Sequence, residues 1–436
     1  MLANFVRTLY YSNYYPLAEI VLVGQGDEHQ RSQWVTELGF STRYGENGKA
    51  YLFLPHCYWK GNADSSSCRM SNVILFNAAL IILFLNGCRL GYPTLAGIVV
   101  MLVGSNPFQV QEVQAHSNVF SWSISVAILA LAMHLGYLLR PGPARVSAYL
   151  GAAGFGFLLA TVRQVRTEPT VIMISVVAAI LLNFKLRFRN RVALIVVLLG
   201  SLSLAQAGWK SYFAFKINQA EQVCRERGGV PYSGPRDDYH ILWHPLWCGL
   251  GDYGQDRGYA WDDAAAWRYV QTILLKDYHI SVNFDKSGYY LDSNWDNQPA
   301  YPRLLTEYPQ CEPITRAKVV ADIRENPVWY GIILLRRLNR VLRETTPIRL
   351  TWAERSLSLP FSGWICVPLL LLLAMARSRL GLLILFVAPT SMTSILVYSG
   401  RGTCLYSVFH ILGAGLLLAF LLEALLQWKA PARGVA

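Results

Sequence analysis

The chain has 436 residues, of which 53% are hydrophobic and only 15% charged, with a mean hydropathy of +0.29. Soluble domains carry about 25% charged residues, so this composition excludes a disordered chain, a coiled coil and a disulfide-only scaffold, and it speaks against an ordinary cytosolic enzyme. The net charge of +12 lies almost wholly in the apolar parts, which hold 14 basic residues against 3 acidic; it is a membrane-topology signal and excludes nucleic acid as a partner.

Taken in order, the segments describe an α-helical polytopic membrane protein with a mixed, loop-rich extracytoplasmic domain. Residues 1–71 form a first outer segment that carries an acidic motif, "GQGDEHQRSQW" at 24–34. Residues 72–209 form a six-span bundle, with apolar runs at 72–88, 91–105, 117–139, 147–162, 169–184 and 192–209. The runs 91–105 and 147–162 are shorter than the roughly 20 residues a straight crossing needs. Residues 210–358 form an extracytoplasmic domain rich in Trp, Tyr and Asp. Loops are expected from Trp243 onward, then a helix capped by Asp262 or Asp263, a second helix over Ile314–Arg324, and a third over 326–347. The third is amphipathic, with Arg336, Arg337, Arg340 and Arg343, and suits a membrane surface. Residues 359–436 supply three more spans, 359–376, 380–398 and 404–427, and a cytoplasmic tail.

Loop charge sets the orientation. Arg89, Arg140, Arg145, Lys185, Arg187, Arg189, Arg191, Arg377, Arg379, Lys429 and Arg433 fall in one set of loops, and only Arg163, Arg166 and Arg401 in the other. Insertion retains Lys and Arg on the cytoplasmic side, so the first set is inside and both long polar stretches are outside. The expected location is the bacterial inner (cytoplasmic) membrane, with the active site facing the periplasm. This topology needs a span ahead of residues 1–71, and Tyr15–Gly24 is too short and carries Glu19. Either a helix precedes Met1, the favoured reading, or residues 5–23 lie in the interface. No cleavable signal peptide is readable.

Cys57 and Cys68 suit a bridge in an oxidising compartment, as does one pair among Cys224, Cys248 and Cys311. No cofactor is implied with certainty. A divalent metal on His240, His244 and Cys248, at four-residue spacing, is the one the residues raise, but Pro245 is expected to break the helix that would align them.

Four polar groups are candidate chemistry. Asp27 and Glu28 lie just outside the membrane, where a carboxylate can take the proton of an acceptor, or where Asp27 merely caps a helix. Arg163 and Arg166 share a tight outer loop with Glu168; a guanidinium fork matches phosphate oxygens, unless the pair is absorbed by Glu168 and other acids. Glu112, His116 and Arg401 reach the same membrane level and suggest a shared polar cavity, or simple solvation at the interface. His240, Trp243, His244, Trp247, Asp252, Trp261, Asp262 and Asp263 suit carbohydrate contact, or else form a small aromatic core. No Walker motif, Rossmann fingerprint or nucleophile elbow occurs, and Glu423 is the only acidic residue in an expected span, which argues against an ATP-driven pump and an ion-coupled transporter.

The acidic motif "GDE" at 26–28, the "RTEP" at 166–169, the uneven spans and the large outer domain together resemble the GT-C superfamily of membrane glycosyltransferases. That superfamily includes protein O-mannosyltransferases and bacterial aminoarabinose and arabinofuranose transferases. The resemblance implies a polyprenyl-phosphate-linked sugar as donor. It also implies a first-loop carboxylate as base, on Asp27 or less favourably Glu28, and phosphate contact by Arg163 and Arg166. The expected reaction is inverting transfer to the hydroxyl of a secreted protein, lipid or polysaccharide acceptor, with Arg401 assisting and the outer domain holding the acceptor. Two alternatives stand beside it: an envelope polysaccharide polymerase or lipid-linked glycan transporter, and a non-enzymatic envelope binding or assembly protein.

Overall fold

A computed structural model of the chain describes residues 67–105, 110, 113–114, 120–138, 146–165, 170, 172–226, 243–253, 255–281, 289–292, 301–304, 310–343, 345–352 and 355–362. The expected spans 380–398 and 404–427, most of 359–376 and nearly all of the first outer segment lie outside these residues. The chain divides into two compact units, with the boundaries Ser71/Asn72, Gly208/Trp209 and Leu338/Asn339 among the described residues.

The first unit holds an apolar helical bundle. Helix α1 (Ser67–Arg89) places Arg89 in its last turn, where a cation offsets the helix dipole. Gly91, at φ 86°, turns the chain into α2 (Pro93–Gly104), which starts on a proline whose missing N–H would have had no partner there. Then come α3 (Phe120–Leu138), α4 (Val146–Arg163), α5 (Ile172–Leu182) and α6 (Phe188–Glu226), whose residues from Trp209 on belong to the second unit. Among the described residues three helices are long and apolar enough to cross a membrane: Arg69–Arg89, Val146–Arg163 and Phe188–Phe215. Helix α3 packs on α4 and α5, and Ile124, Ala127, Ile128 and Leu131 are buried in that core. Val192, Val196 and Leu199 of α6 are exposed, which fits a surface solvated by lipid tails.

Polar side chains inside this bundle bond to backbone carbonyls, the arrangement that makes them tolerable away from water. Asn86 donates to the carbonyl of Ala132 and Asn183 to that of Tyr137. His134, fully buried, sets Nδ1 2.8 Å from the Ala130 carbonyl oxygen and Nε2 3.3 Å from that of Ser175, tying α3 to α5. A lone His in an apolar run is the sequence signal of such a tie. At the start of α6, Arg191 donates to the carbonyl of Leu181 and lies over the Phe184 and Phe188 rings, closing off the end of α5.

Helix α6 runs well past the expected end at 209. No proline interrupts residues 210–226, and the 39-residue helix is about 58 Å long, roughly twice a hydrocarbon core. Arg187, Arg189 and Arg191 flank its start, and Trp209, Tyr212 and Phe213 form an aromatic cluster with centroids 5.3–5.9 Å apart. From Phe188 to Trp209 is about 32 Å, one membrane thickness between a basic end and an aromatic end. The first unit also contains the antiparallel hairpin β3 (Thr345–Trp352) and β4 (Arg355–Ser362), in which Ile348 pairs with Leu359 and Leu350 with Leu357. This corrects two boundaries. The expected helix over 326–347 stops at Arg343, and residues 359–362 are strand rather than the start of a span, because apolar and polar residues alternate with period two from Thr345 to Ser362.

The second unit contains α7 (Trp243–Leu250), a short 3-10 turn (Gln255–Arg257), α8 (Asp263–Tyr278) and the hairpin of β1 (Tyr289–Asp292) with β2 (Tyr301–Leu304). Helices α9 (Cys311–Glu325) and α10 (Pro327–Arg343) complete it. Asp262 caps α8, its Oδ1 accepting from Ala264 N at 3.0 Å, and His279 ends the helix in the left-handed conformation. Loops were expected where α7 lies. Pro245 does not break this helix, because it falls in the first turn, where backbone N–H groups have no intrahelical acceptor. The expected membrane-surface face of α10 also changes: Arg337 and Ile333 are fully buried against the α7–α9 core, while Val328, Ile332 and Leu335 are exposed. Neither Cys248 nor Cys311 is disulfide-bonded, and they lie in separate apolar clusters, so no bridge forms among Cys224, Cys248 and Cys311.

Gly156 of α4 lies so close to α6 that a Cβ would collide with Ser201 and with the backbone at Leu198 and Leu202. Gly156→Leu is expected to destabilise the bundle by about 1–3 kcal/mol. A lowered melting temperature of the detergent-solubilised protein would show it, whereas an unchanged one would mean that α4 and α6 do not pack this tightly.

Candidate functional site

Helix α9 organises the second unit with two different faces. Its inner face carries Lys318 and Asp322, one turn apart, into an aromatic cluster. Lys318 Nζ is 3.0 Å from Asp322 Oδ2 and lies over the rings of Tyr259, Tyr269 and Trp247 at 5.0, 5.6 and 5.7 Å. Tyr259 donates its hydroxyl to Asp322 Oδ2 at 2.6 Å, and Arg257 reaches Asp322 Oδ1 at 3.5 Å and Glu325 at 2.8 Å. Arg257 also covers the Trp329 ring at 4.9 Å. Trp247 meets Tyr259 edge-on at 4.7 Å and tilts against Tyr269 at 4.8 Å.

Burial, then the Asp322 hydrogen bond and charge, push the Tyr259 hydroxyl well above its ordinary 10.0. Burial raises Tyr269 too, helped by Asp322 and Asp277. The Cys311 thiol is driven above its ordinary 9.0 by burial and then by the charge of Glu312. Burial lowers the pKa of Arg337, opposed by Tyr330, Asp252 and Tyr253.

The outer face of α9 borders a groove of 710 Å³ lined by Trp243, Glu312, Arg316, Ala317, Ala321 and Arg324, among others. Glu312 closes one end. Its Oε1 accepts from Trp243 N at 2.7 Å and its Oε2 from His244 N at 3.3 Å, so a carboxylate caps the N-terminus of α7. Arg316 lies over the Trp243 ring at 5.7 Å. Arg316 and Arg324 are exposed, and among the described residues neither has a carboxylate within salt-bridge distance. The site therefore offers an aromatic ring, two cations and a shallow floor of small side chains.

Of the site residues expected from sequence, Asp27, Glu28, Glu112, His116, Arg166, Glu168, His240 and Arg401 lie outside the described residues. Arg163 is the last residue of α4 and is exposed. Trp243 lines the groove. His244 and Trp247 are about 1% exposed and belong to the core, so they have no surface to offer an acceptor. Trp261 packs on that core, and Asp252 lies where its charge acts on Arg337. Asp262 caps α8 and lies 3.8 Å from Arg268, and Asp263 is the first residue of α8. His244 and Cys248 share α7, with Sγ 3.8 Å from Nε2. Among the described residues no three His, Cys, Asp or Glu side chains group as metal ligands. Glu312, Arg316 and Arg324 were missed, though their spacing at four and eight residues on a helical stretch was a readable signal. Compared with protein families, curated proteins and solved structures, the chain matches none.

A raised tyrosine or thiol pKa favours the folded state only while the unfolded chain is still protonated, so its contribution is full below the ordinary value and is lost above it. Stability should fall from about pH 9 as Cys311 titrates in the unfolded chain, and more steeply above about pH 10 through Tyr259. Melting curves across pH 7–11 check this. Cys311→Ala should remove the first decline and Tyr259→Phe the second; variants that follow the unaltered profile would refute the assignment. Glu312→Ala should lower stability by about 1–2 kcal/mol through the lost cap on α7, read as a shift in the same melting curves.

Proposed function

We propose that the chain is a membrane glycosyltransferase of GT-C type, moving a sugar from a polyprenyl-phosphate donor to an acceptor hydroxyl on the extracytoplasmic side of a bacterial inner membrane. The observation that carries this reading is Arg163. It is exposed at the very end of an 18-residue apolar helix of membrane-spanning character, and the sequence continues at once into Arg166-Thr167-Glu168-Pro169. A fixed cation at the edge of the apolar layer suits the phosphate of a lipid whose tail lies in that layer. The exposed Val328, Ile332 and Leu335 of α10 add a surface that could rest against lipid, and the groove beside α9 adds a place for an acceptor.

In this reading Asp27 takes the proton of the acceptor hydroxyl, and the oxygen attacks the anomeric carbon from the face opposite the phosphate. The bond from that carbon to the phosphate oxygen breaks with its electron pair leaving on the phosphate. Arg163, Arg166 and Arg401 stabilise the charge that develops there. Glu28 is the lesser candidate for the base, and Glu112, His116 and Glu168 support the polar cavity.

The test is an envelope glycan and glycoprotein mass profile of cells carrying Asp27→Asn, with the membrane level of the protein checked alongside. One sugar mass should vanish while the protein remains inserted at its normal level. Arg163→Gln should raise the donor concentration needed for half-maximal transfer by about tenfold, the effect of losing one charge-assisted contact. An unchanged profile in Asp27→Asn would reduce Asp27 to a helix cap and sink the mechanism.

A further inference from the structure

We infer that the groove beside α9 is a binding site for an anionic oligosaccharide, held by Arg316 and Arg324 across a floor of alanines. The inference deepens the transferase reading, on which the choice of a saccharide over a peptide rests, by stating the chemistry of the acceptor. Three observations carry it. Arg316 and Arg324 lie eight residues apart on the exposed face of one helix, so their backbones are separated by about 12 Å along the axis. Arg316 is held over the Trp243 ring, so its guanidinium is already partly ordered and loses less freedom when it takes up a carboxylate. Among the described lining residues the acidic group is Glu312, which is engaged with two backbone N–H groups at 2.7 and 3.3 Å and so leaves the two cations to set the sign of the site.

The spacing favours an extended polyanion over a single anionic group. A single phosphate or lipid headgroup engages one guanidinium at a time. An extended glycan whose acidic groups recur along the chain engages both at once, and gains from the second contact without a second association cost. Between the two arginines the helix presents Ala317 and Ala321, side chains small enough for a sugar ring to lie close over the helix with its C–H face down. Pro313 and Val320 extend that apolar floor.

The experiment uses the full chain in nanodiscs of neutral lipid, titrated with hexagalacturonate and with its methyl-esterified, uncharged counterpart, and followed by intrinsic tryptophan fluorescence. The acidic oligomer should bind, more weakly as salt is raised, and the esterified oligomer should not. Arg316→Gln with Arg324→Gln should weaken binding by about tenfold or more, while the pair Arg316→Lys with Arg324→Lys retains part of it. Equal binding of both oligomers, or binding indifferent to the arginines, overturns the proposal, and the comparison of oligomers on the unaltered protein holds whatever the variants do to folding. Loss of hexagalacturonate binding when phosphatidylglycerol is included would give the groove to a lipid headgroup, and tighter binding of hexaglutamate would give it to a peptide; either overturns it. Absence of hexagalacturonate binding by the unaltered protein, together with a lost sugar mass in Asp27→Asn cells, would remove this inference and leave the transferase reading standing.

Discussion

The second unit depends on one carboxylate. Asp322 gathers Tyr259, Lys318 and Arg257 within 2.6–3.5 Å, in a setting where aromatic rings have displaced most of the water. A lysine drawn into such a cluster costs desolvation, and what offsets it is the opposite charge one turn away together with three ring faces within about 6 Å. With that pair in place α9 has a fixed rotation about its own axis. The same rotation that turns Lys318 and Asp322 inward turns Arg316, Ala317, Ala321 and Arg324 outward. The groove is thus a consequence of the internal ion pair, and Glu312, six residues before Lys318, uses the start of the same helix to hold α7.

The bundle of the first unit obeys a different constraint. Its interior offers no water, so each polar side chain has to find a carbonyl that the helical ladder leaves accessible. Asn86, Asn183, His134 and Tyr137 all do so, and each bond joins different segments: α1 to α3, the α5 end to α3, α3 to α5, and α3 to α4. Where no polar bond locks the helices, small residues do, as Gly156 shows against α6 and Gly87 against Ala96. Helix α6 adds length: its apolar run sits between a basic start and an aromatic cluster, and then it continues for a further 17 residues as a polar helix.

Several sequence inferences failed for local reasons. Pro245 has the residue type of a helix breaker, but a proline in a first turn removes an N–H that has no partner there. Residues 359–362 were read as the start of a span because they are apolar, and hydropathy averaged over a window does not register an alternation of period two. Arg337 was assigned to a membrane surface because four arginines crowd one stretch; only packing against Tyr330, Tyr253 and the α7 core shows which of the four turns inward. The pairing expected among the outer cysteines failed because Cys248 and Cys311 fill separate apolar clusters.

What the sequence determined by itself is whatever depends on runs and periods along the chain. The apolar helices at 72–88, 147–162 and 192–209, a cap on α8 at Asp262 or Asp263 and the helices expected from 314 and 326 were legible because each is set by residues within a few positions of one another. What only the tertiary structure decided is which face of each element turns inward. Trp243 and Trp247, four residues apart on α7, look alike in sequence, yet one lines a groove and the other is sealed in the core. Glu312 and His244, 68 residues apart, meet because α9 packs on α7. Local patterns say that a helix forms, while its rotation and its partners are set by contacts between residues distant in the chain, and those contacts leave no mark on the spacing.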